Sequence, residues 1–204
     1  MIKNLILDMG NVMLCFDPDV FLKAMGIADP KVYQTLRREV FGSLEWVQQD
    51  WGVLTEQQSY DSIKRRLPEE LHEMAKELIF RWNEPVRPIA GMAELVRDCK
   101  QAGLGVYLLS NASVRLPEYW PNTPGSEYFD GVTVSALVHA VKPMPEIYRH
   151  VLDTYGLQAE ECLFVDDMPM NVAGALQVGM KGFVFRGDAD ALRQELKNQG
   201  VSLR

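Results

Sequence analysis

Six side chains with catalytic or metal-binding chemistry follow short apolar runs in this chain of 204 residues. They are Asp8, Ser110, Asn111, Lys142, Asp166 and Asp167. Carboxylate oxygens are suitable ligands for a hard divalent cation such as Mg²⁺, and a hydroxyl and an ammonium could hold an anionic group beside it. Such a set suits phosphoryl transfer, in which catalysis is mainly positioning and electrostatic stabilisation. A carboxylate such as Asp8 can also be the nucleophile and form an aspartyl-phosphate.

Each of these residues also has a purely structural interpretation. Asp8 and the pair Ser110-Asn111 could cap helices or form turns, and Lys142, before Pro143, could be an exposed loop residue. The acidic pair at 166–167 could begin a helix, where negative charge is favoured. Their joint occurrence at the ends of predicted strands favours the functional interpretation.

The apolar runs themselves predict five buried strands, because they are short and rich in Leu and β-branched residues. The runs cover residues 5–8, 105–110, 132–135, 162–167 and 182–186. Segments with helical spacing alternate with them through the last hundred residues, which predicts an α/β fold with a parallel sheet and helices on both faces. Ligands of such sheets bind beyond the carboxyl ends of the strands.

Residues 17–88 differ from the rest of the chain. Four stretches there have helical spacing, one of them running from Lys31 to Asp50, and no convincing strand is present. This pattern predicts a compact helical cap at 17–88, inserted into a catalytic core formed by residues 1–16 and 89–204.

Composition limits the possible partners and location. The net charge of −7 disfavours nucleic-acid binding. Cys15, Cys99 and Cys162 are scattered, without metal-type spacing, as expected of reduced thiols in the cytoplasm. The N-terminal residues do not resemble a signal peptide, and no window of about 18 uncharged apolar residues predicts a membrane span. We therefore expect a cytoplasmic protein that does not bind membranes, either a monomer or a small homo-oligomer.

Four segments, LILDMGNV, LLSNAS, AVKPMPEIY and FVDDMPMNVAGA, resemble in order and spacing the motifs of the haloacid dehalogenase-like (HAD) hydrolase superfamily. The resemblance spans nearly the whole chain and implies a Rossmann-like core with an inserted helical cap. It further implies that Asp8 is the nucleophile, that Ser110 and Lys142 bind the transferred phosphoryl group, and that Asp167, helped by Asp166, holds Mg²⁺.

The chain departs from the usual phosphatase motif at Gly10, where a second Asp normally stands. That Asp protonates the leaving alcohol, while its backbone carbonyl coordinates the metal. Glycine therefore keeps the metal-binding carbonyl and loses the acid, whose contribution is about 10²–10⁴-fold in rate. Bacterial sugar-1-phosphate phosphatases of the superfamily, which this sequence also resembles, carry the same glycine. Asp17 is a candidate replacement acid, although an Asp before Pro18 also suits a turn.

Three functions are compatible with this departure. The first is a magnesium-dependent phosphatase of small phosphorylated metabolites, including a sugar phosphate such as glucose 1-phosphate. The second is a 2-haloacid dehalogenase, which needs no metal, although two adjacent acids at 166–167 would repel a carboxylate substrate. The third is a non-catalytic regulatory protein that binds phosphate.

The cap is expected to determine the substrate, because its side chains would face the leaving group. The stretch GSLEWVQQDWG at 42–52 supplies Trp46 and Asp50 as candidate substrate-binding residues, beside Glu45, Gln49 and Trp51. The tryptophans are equally suited to packing inside the cap.

Overall fold

A computed structural model describes residues 1–203 and contains a five-stranded, all-parallel sheet with the strand order β3-β2-β1-β4-β5. The strands are β1 (Asn4–Leu7), β2 (Gly105–Ser110), β3 (Gly131–Val134), β4 (Cys162–Asp166) and β5 (Lys181–Val184). Each predicted strand is present with ends within two residues of the prediction, so the predicted α/β class is confirmed.

Helices surround this sheet and form the segment that follows β1. They are α1 (Pro18–Ala24), α2 (Pro30–Leu36), α3 (Leu44–Asp50), α4 (Glu56–Ile63), α5 (His72–Arg81), α6 (Met92–Gln101), α7 (Leu116–Tyr119), α8 (Ser135–Val138), α9 (Pro145–Tyr155), α10 (Pro169–Gln177) and α11 (Ala189–Asn198). Over residues 1–203, no helix combines the length and the apolar character that crossing a bilayer requires.

Successive side chains of the central strand β1 point to opposite faces of the sheet, as strand geometry dictates. Leu5 and Leu7 join the apolar cluster that includes α6 and α11, whereas Ile6 joins the cluster that includes α9 and α10. The sheet is therefore covered on both faces, and the carboxyl ends of β1, β2 and β4 remain available at one edge.

Helices α1 to α5 build a third apolar cluster that is separate from the two beside the sheet. The chain enters and leaves this helical segment along two adjacent stretches, where the Cys15 N–H donates to the Arg87 carbonyl at 2.8 Å and the Ile89 N–H to the Met13 carbonyl at 3.0 Å. The described residues from 17 to 88 contain no strand beyond the single bridge of Pro88 to Leu14. The domain boundaries at 17 and 88 stay a prediction.

The predicted helical stretch from Lys31 to Asp50 is not continuous. A π-helical turn at Arg37–Phe41 follows α2, and the chain breaks at Gly42 before α3 begins. Ser43 caps the new helix by accepting a hydrogen bond from the Trp46 N–H at 3.1 Å, which is the usual role of serine at this position. α3 is therefore a separate helix from α2.

The C-terminal end of α3 is fastened to the core at α8. Gly52, just after α3, has a φ of +70°, and a Cβ there would lie 2.2 Å from the Ala136 carbonyl oxygen. The Trp51 indole N–H donates to the His139 carbonyl at 3.3 Å. Only a residue without a side chain permits this close approach.

Replacing Gly52 with Ala is expected to lower the free energy of unfolding by about 1–3 kcal/mol, because the new methyl group collides with backbone that cannot rotate away. Gly26→Ala is the matched control, since Gly26 has a similar φ of +68° but no atom within 4 Å of the added Cβ. Urea unfolding of both variants measures the difference. Equal losses would show that the contact between Gly52 and α8 does not restrict the side chain.

Candidate functional site

A cavity of about 290 Å³ lies between the carboxyl edge of the sheet and the helical segment. Eight of the residues predicted to form the site line it: Asp8, Gly10, Trp46, Asp50, Ser110, Asn111, Lys142 and Asp167. Asp166, a predicted metal-site residue, does not line the cavity and is fully buried beneath its floor. The parallel strands thus bring together residues that are up to 159 positions apart in the chain, from 8 to 167.

Lys142 occupies the centre of the cavity floor. Its Nζ lies 2.7 Å from Asp8 Oδ1 and 2.7 Å from Asp166 Oδ2, and it donates to the Leu109 carbonyl at 3.0 Å. These three contacts use the three donors of an ammonium group. Burial lowers the pKa of Lys142, but the two adjacent carboxylates more than offset that effect, so its pKa is raised and the side chain stays charged.

Asp166 fixes the surroundings of Lys142. Its Oδ1 accepts hydrogen bonds from the Met168 N–H at 2.8 Å and from the Asn171 side-chain amide at 3.0 Å, while its Oδ2 faces Lys142. Both oxygens therefore already have protein partners. This arrangement ties β4, the start of α10 and the lysine into one unit.

Asn111 holds the Lys142 backbone from the end of β2. Its Oδ1 accepts from the Lys142 N–H at 2.8 Å, and its side-chain amide donates to the Lys142 carbonyl at 3.0 Å. This reciprocal pair positions the lysine loop beside Ser110, whose side chain also lines the cavity.

Asn11 is a site residue that the sequence motifs do not predict. Its φ is +54°, in the left-handed region that Asn tolerates better than most residues. Its side-chain amide donates to Asp167 Oδ2 at 3.0 Å, and its Oδ1 accepts from the Phe16 N–H at 2.9 Å. The available signal was an Asn directly after Gly10, a common sequence for a tight turn.

Replacing Asn11 with Gly or with Ala is expected to weaken Mg²⁺ binding by about 10-fold or more, because Asp167 loses the hydrogen bond that orients it. Both variants lose the hydrogen bond to the Phe16 N–H, but the Ala variant should lose more stability than the Gly variant, since Gly adopts a positive φ without strain. Calorimetric titration with Mg²⁺ and urea unfolding give the two readouts. Unchanged Mg²⁺ affinity in both variants would show that Asn11 does not orient a metal ligand.

The charge balance and donor chemistry of the floor suit a divalent cation. One carboxylate oxygen from each of Asp8, Asp166 and Asp167 lies within 4.8 Å of the others, and Lys142 neutralises only one of the three charges. Burial raises the pKa of Asp8 to about 6, in spite of Lys142 and with a further increase from the Asp166 charge. A bound cation would favour the ionised forms of these acids. The donor set is all oxygen, as Mg²⁺ prefers.

Steric crowding does not explain why position 10 is a glycine. A Cβ at this position would lie 3.5 Å from Phe16 Cβ, an ordinary contact, and Gly10 has no positive φ. A side chain could therefore be accommodated, and the glycine simply leaves the cavity without an acid at this point.

Asp17 does not replace that acid. It is exposed, does not line the cavity, and caps α1 by accepting from the Asp19 N–H at 2.9 Å. Two neighbours of Trp46 in sequence also lie outside the cavity lining: Glu45 pairs with Arg66 at 2.6 Å, and Trp51 contacts α8.

The wall of the cavity opposite the floor is partly aromatic and partly polar. Trp46 lines it and packs against Phe16 and Trp82, with ring centroids 5.8 and 6.5 Å away. It thus belongs both to the helical cluster and to the cavity.

Three polar side chains of the helical segment complete this wall: Gln49, Asp50 and Glu56. Gln49 is only 3% exposed, and its Nε2 has no hydrogen-bond partner among residues 1–203. Glu56 accepts a hydrogen bond from the Ser113 hydroxyl. Burial, and then the nearby Asp8 charge, raise the pKa of Asp50 to about 7.

Comparisons with known proteins give the family and the fold. The family model for haloacid dehalogenase-like hydrolases matches residues 2–179. The sesquiterpene phosphatase AstK of Aspergillus oryzae is 30% identical in an alignment 190 residues long, and the match covers 88% of this chain and 88% of that one.

Two solved structures share the fold. A HAD family enzyme from Bacteroides thetaiotaomicron, in complex with magnesium and inorganic phosphate, superposes with a TM-score of 0.72 at 22% identity, covering 94% of this chain and 99% of that one. The L-2-haloacid dehalogenase of Xanthobacter autotrophicus, with chloropropionic acid covalently bound, gives 0.67 at 21% identity, covering 99% and 85%. Since phosphoryl-binding and haloacid-binding proteins both share the architecture, the fold does not choose between these reactions. The chain belongs to the haloacid dehalogenase-like hydrolase family.

Proposed function

We propose that this protein is a magnesium-dependent phosphatase of small phosphomonoesters, with Asp8 as the nucleophile. The observation that carries the proposal is the acid-rich floor, in which Lys142 bridges Asp8 and Asp166 while Asp167 adds a further negative charge. Such a floor repels an anionic substrate unless a cation is bound. The named activity of AstK, a phosphatase, supports the same reaction class.

The residues divide the work as follows. Asp8, Asp167 and the Gly10 carbonyl would hold Mg²⁺, with Asp166 beside them holding Lys142 in place. The bound ion would neutralise charge on the phosphoryl oxygens. The Ser110 hydroxyl would bind those oxygens, and the Lys142 ammonium would attract them by its charge and turn towards them the donor that now faces Asp8, which places the phosphorus before Asp8.

Asp8 attacks the phosphorus, the bond to the leaving oxygen breaks, and an aspartyl-phosphate forms. Water then attacks this phosphorus, which restores the Asp8 carboxylate and releases inorganic phosphate.

The leaving group we propose is a small hydroxylated one, including a sugar as in glucose 1-phosphate. Gln49, Asp50 and Glu56 present an amide and two carboxyls to the cavity, and buried polar groups left without partners are costly. Hydroxyl groups would pair with them, whereas a terpene chain would not. Trp46 offers a flat aromatic face for a sugar ring.

A substrate panel tests this proposal. Purified protein is incubated with sugar phosphates, a terpenyl phosphate, p-nitrophenyl phosphate and 2-chloropropionate, each with Mg²⁺ and with a chelator. We expect phosphate release that needs Mg²⁺ and is fastest with a sugar phosphate. Chloride release that survives chelation would instead identify a dehalogenase. Binding of phosphate esters without any turnover would identify a regulatory protein.

A further inference from the structure

The leaving oxygen in this reaction needs a proton, and Gly10 does not supply one. Among the residues that line the cavity, the acids are Asp8, Asp50, Glu56 and Asp167. Asp8 is the proposed nucleophile, and Asp167 is the proposed metal ligand. The remaining candidates, Asp50 and Glu56, both lie on the helical segment, in the cavity wall that also contains Trp46 and Gln49.

The two candidates differ in their surroundings. The Glu56 carboxylate accepts a hydrogen bond from the Ser113 hydroxyl and is therefore already engaged. Asp50 forms no salt bridge with any basic side chain of residues 1–203. An acid without a cationic partner in a secluded cavity favours its protonated form.

The core holds the backbone of Asp50 in place. The Ser135 hydroxyl donates to the Asp50 carbonyl and accepts from the Ala112 N–H at 2.9 Å. Ala112 follows directly after Ser110 and Asn111, so one serine links the Asp50 backbone to the strand end that bears the predicted phosphoryl-binding hydroxyl. The close approach of Gly52 to α8 fixes the next turn of the chain. Asp50 is thus positioned from the catalytic core, although it belongs to the inserted helices.

We propose that Asp50 is the general acid that replaces the missing acid at position 10. This inference rests on the proposed phosphatase activity and deepens it. As Asp8 attacks the phosphorus, the bond to the leaving oxygen breaks and that oxygen takes the proton of the Asp50 carboxyl, which yields a neutral alcohol and an Asp50 carboxylate. In the second step this carboxylate accepts a proton from water as the water oxygen joins the phosphorus. The bond between the phosphorus and the Asp8 oxygen breaks, which regenerates the Asp8 carboxylate and frees inorganic phosphate, and Asp50 is again protonated.

The charged and titratable groups near Asp50 are consistent with this cycle. Asp8 and Glu56 disfavour its ionised form, and Lys142 favours it. The Tyr119 hydroxyl is the other titratable neighbour, and burial raises its pKa far above neutrality, so it stays neutral. Because the pKa of Asp50 is raised, the acid form needed for the first step is lost as pH rises above neutrality. Turnover of a sugar phosphate should therefore decline on the alkaline side.

The test compares two leaving groups in three proteins. The proteins are wild type, Asp50→Asn and Asp17→Asn, and the substrates are the best sugar phosphate of the panel and p-nitrophenyl phosphate, whose leaving group needs no proton. Asp50→Asn is expected to lower kcat/KM for the sugar phosphate by about 10²-fold or more, with a loss for p-nitrophenyl phosphate at least about ten times smaller. The ratio kcat/KM is compared because it reports the step in which the leaving group departs and not the later hydrolysis of the aspartyl-phosphate, which both substrates share. Asp17→Asn is the matched control, because Asn caps a helix as well as Asp does.

Two further readouts do not depend on a single variant. The alkaline decline of kcat/KM should be present in wild type with the sugar phosphate and absent with p-nitrophenyl phosphate. In the Asp50→Asn background, Gly10→Asp should restore sugar phosphate turnover, since position 10 has room for the side chain.

Equal losses of kcat/KM for both substrates in Asp50→Asn, or a selective loss in Asp17→Asn, would overturn the assignment of Asp50 and leave the phosphatase proposal standing. If wild type hydrolyses neither substrate with Mg²⁺, the proposed function fails and this inference fails with it.

Discussion

Asp8→Asn is expected to reduce phosphomonoester turnover by at least about 10³-fold, because the amide cannot form the aspartyl-phosphate. The fold should remain intact, since the new side chain has the shape of the old one and its carbonyl oxygen can still accept a hydrogen bond from Lys142, which lies 2.7 Å from Asp8 Oδ1. The measurement is steady-state phosphate release at saturating substrate, with circular dichroism to verify folding.

Asp61→Asn is the control for this experiment. Asp61 lies on α4, partly exposed, and pairs with Lys64 outside the cavity. Its replacement should leave turnover within about two-fold of wild type, since changes at exposed ion pairs have small effects. Residual activity of Asp8→Asn above one-tenth of wild type would contradict the nucleophile assignment.

Lys142→Met is expected to lower the free energy of unfolding by about 3–5 kcal/mol, because it leaves the buried carboxyls of Asp8 and Asp166 without their shared cation. The exposed pair of Lys100 with Asp130 provides the control. Lys100→Met should cost about 0.2–1 kcal/mol. Urea unfolding without Mg²⁺ measures both variants under the same conditions.

The loss of unfolding free energy in Lys142→Met should be smaller at low pH than at high pH. Burial already raises the pKa of Asp8, and removal of the lysine takes away the main opposing effect. An acid whose pKa is higher in the folded than in the unfolded protein stabilises the fold at low pH and loses that contribution as pH rises. The difference in the free energy of unfolding between wild type and Lys142→Met should therefore become smaller as pH falls from about 8 to about 5. A loss of unfolding free energy no larger than that of Lys100→Met would show that Lys142 is not needed to balance the negative charges of Asp8 and Asp166.

The sheet could be predicted from the sequence because each strand is a short apolar run, and an aspartate that ends such a run must lie at the carboxyl edge. Asp8, Ser110 and Asp167 were found in this way, and the structure brings them into one cavity. Lys142 also follows an apolar run, whereas the significance of Gly10 came from the family resemblance. No periodicity would have singled out Gly10.

The supporting residues could not be predicted by the same reasoning. Asn11, Asn171 and Glu56 act through tertiary contacts, and a hydrogen bond between Asn11 and Asp167 spans 156 positions of the chain. The face of α3 that lines the cavity could not be predicted either, because the predicted helix from Lys31 to Asp50 is interrupted at Gly42. In the structure, Gln49, Asp50 and Trp46 line the cavity while Glu45 and Trp51 do not, although all five share one short stretch.

The most direct test of the account is to identify the phosphorylated residue during turnover. Wild-type protein is mixed with Mg²⁺ and substrate, quenched in acid at successive times, digested, and analysed by mass spectrometry. If Asp8 is the nucleophile, a phosphoryl group should appear on its side chain before steady state and disappear when substrate is exhausted. A phosphoryl group on another residue, or phosphate release with Asp8 unmodified at every time point, would contradict it.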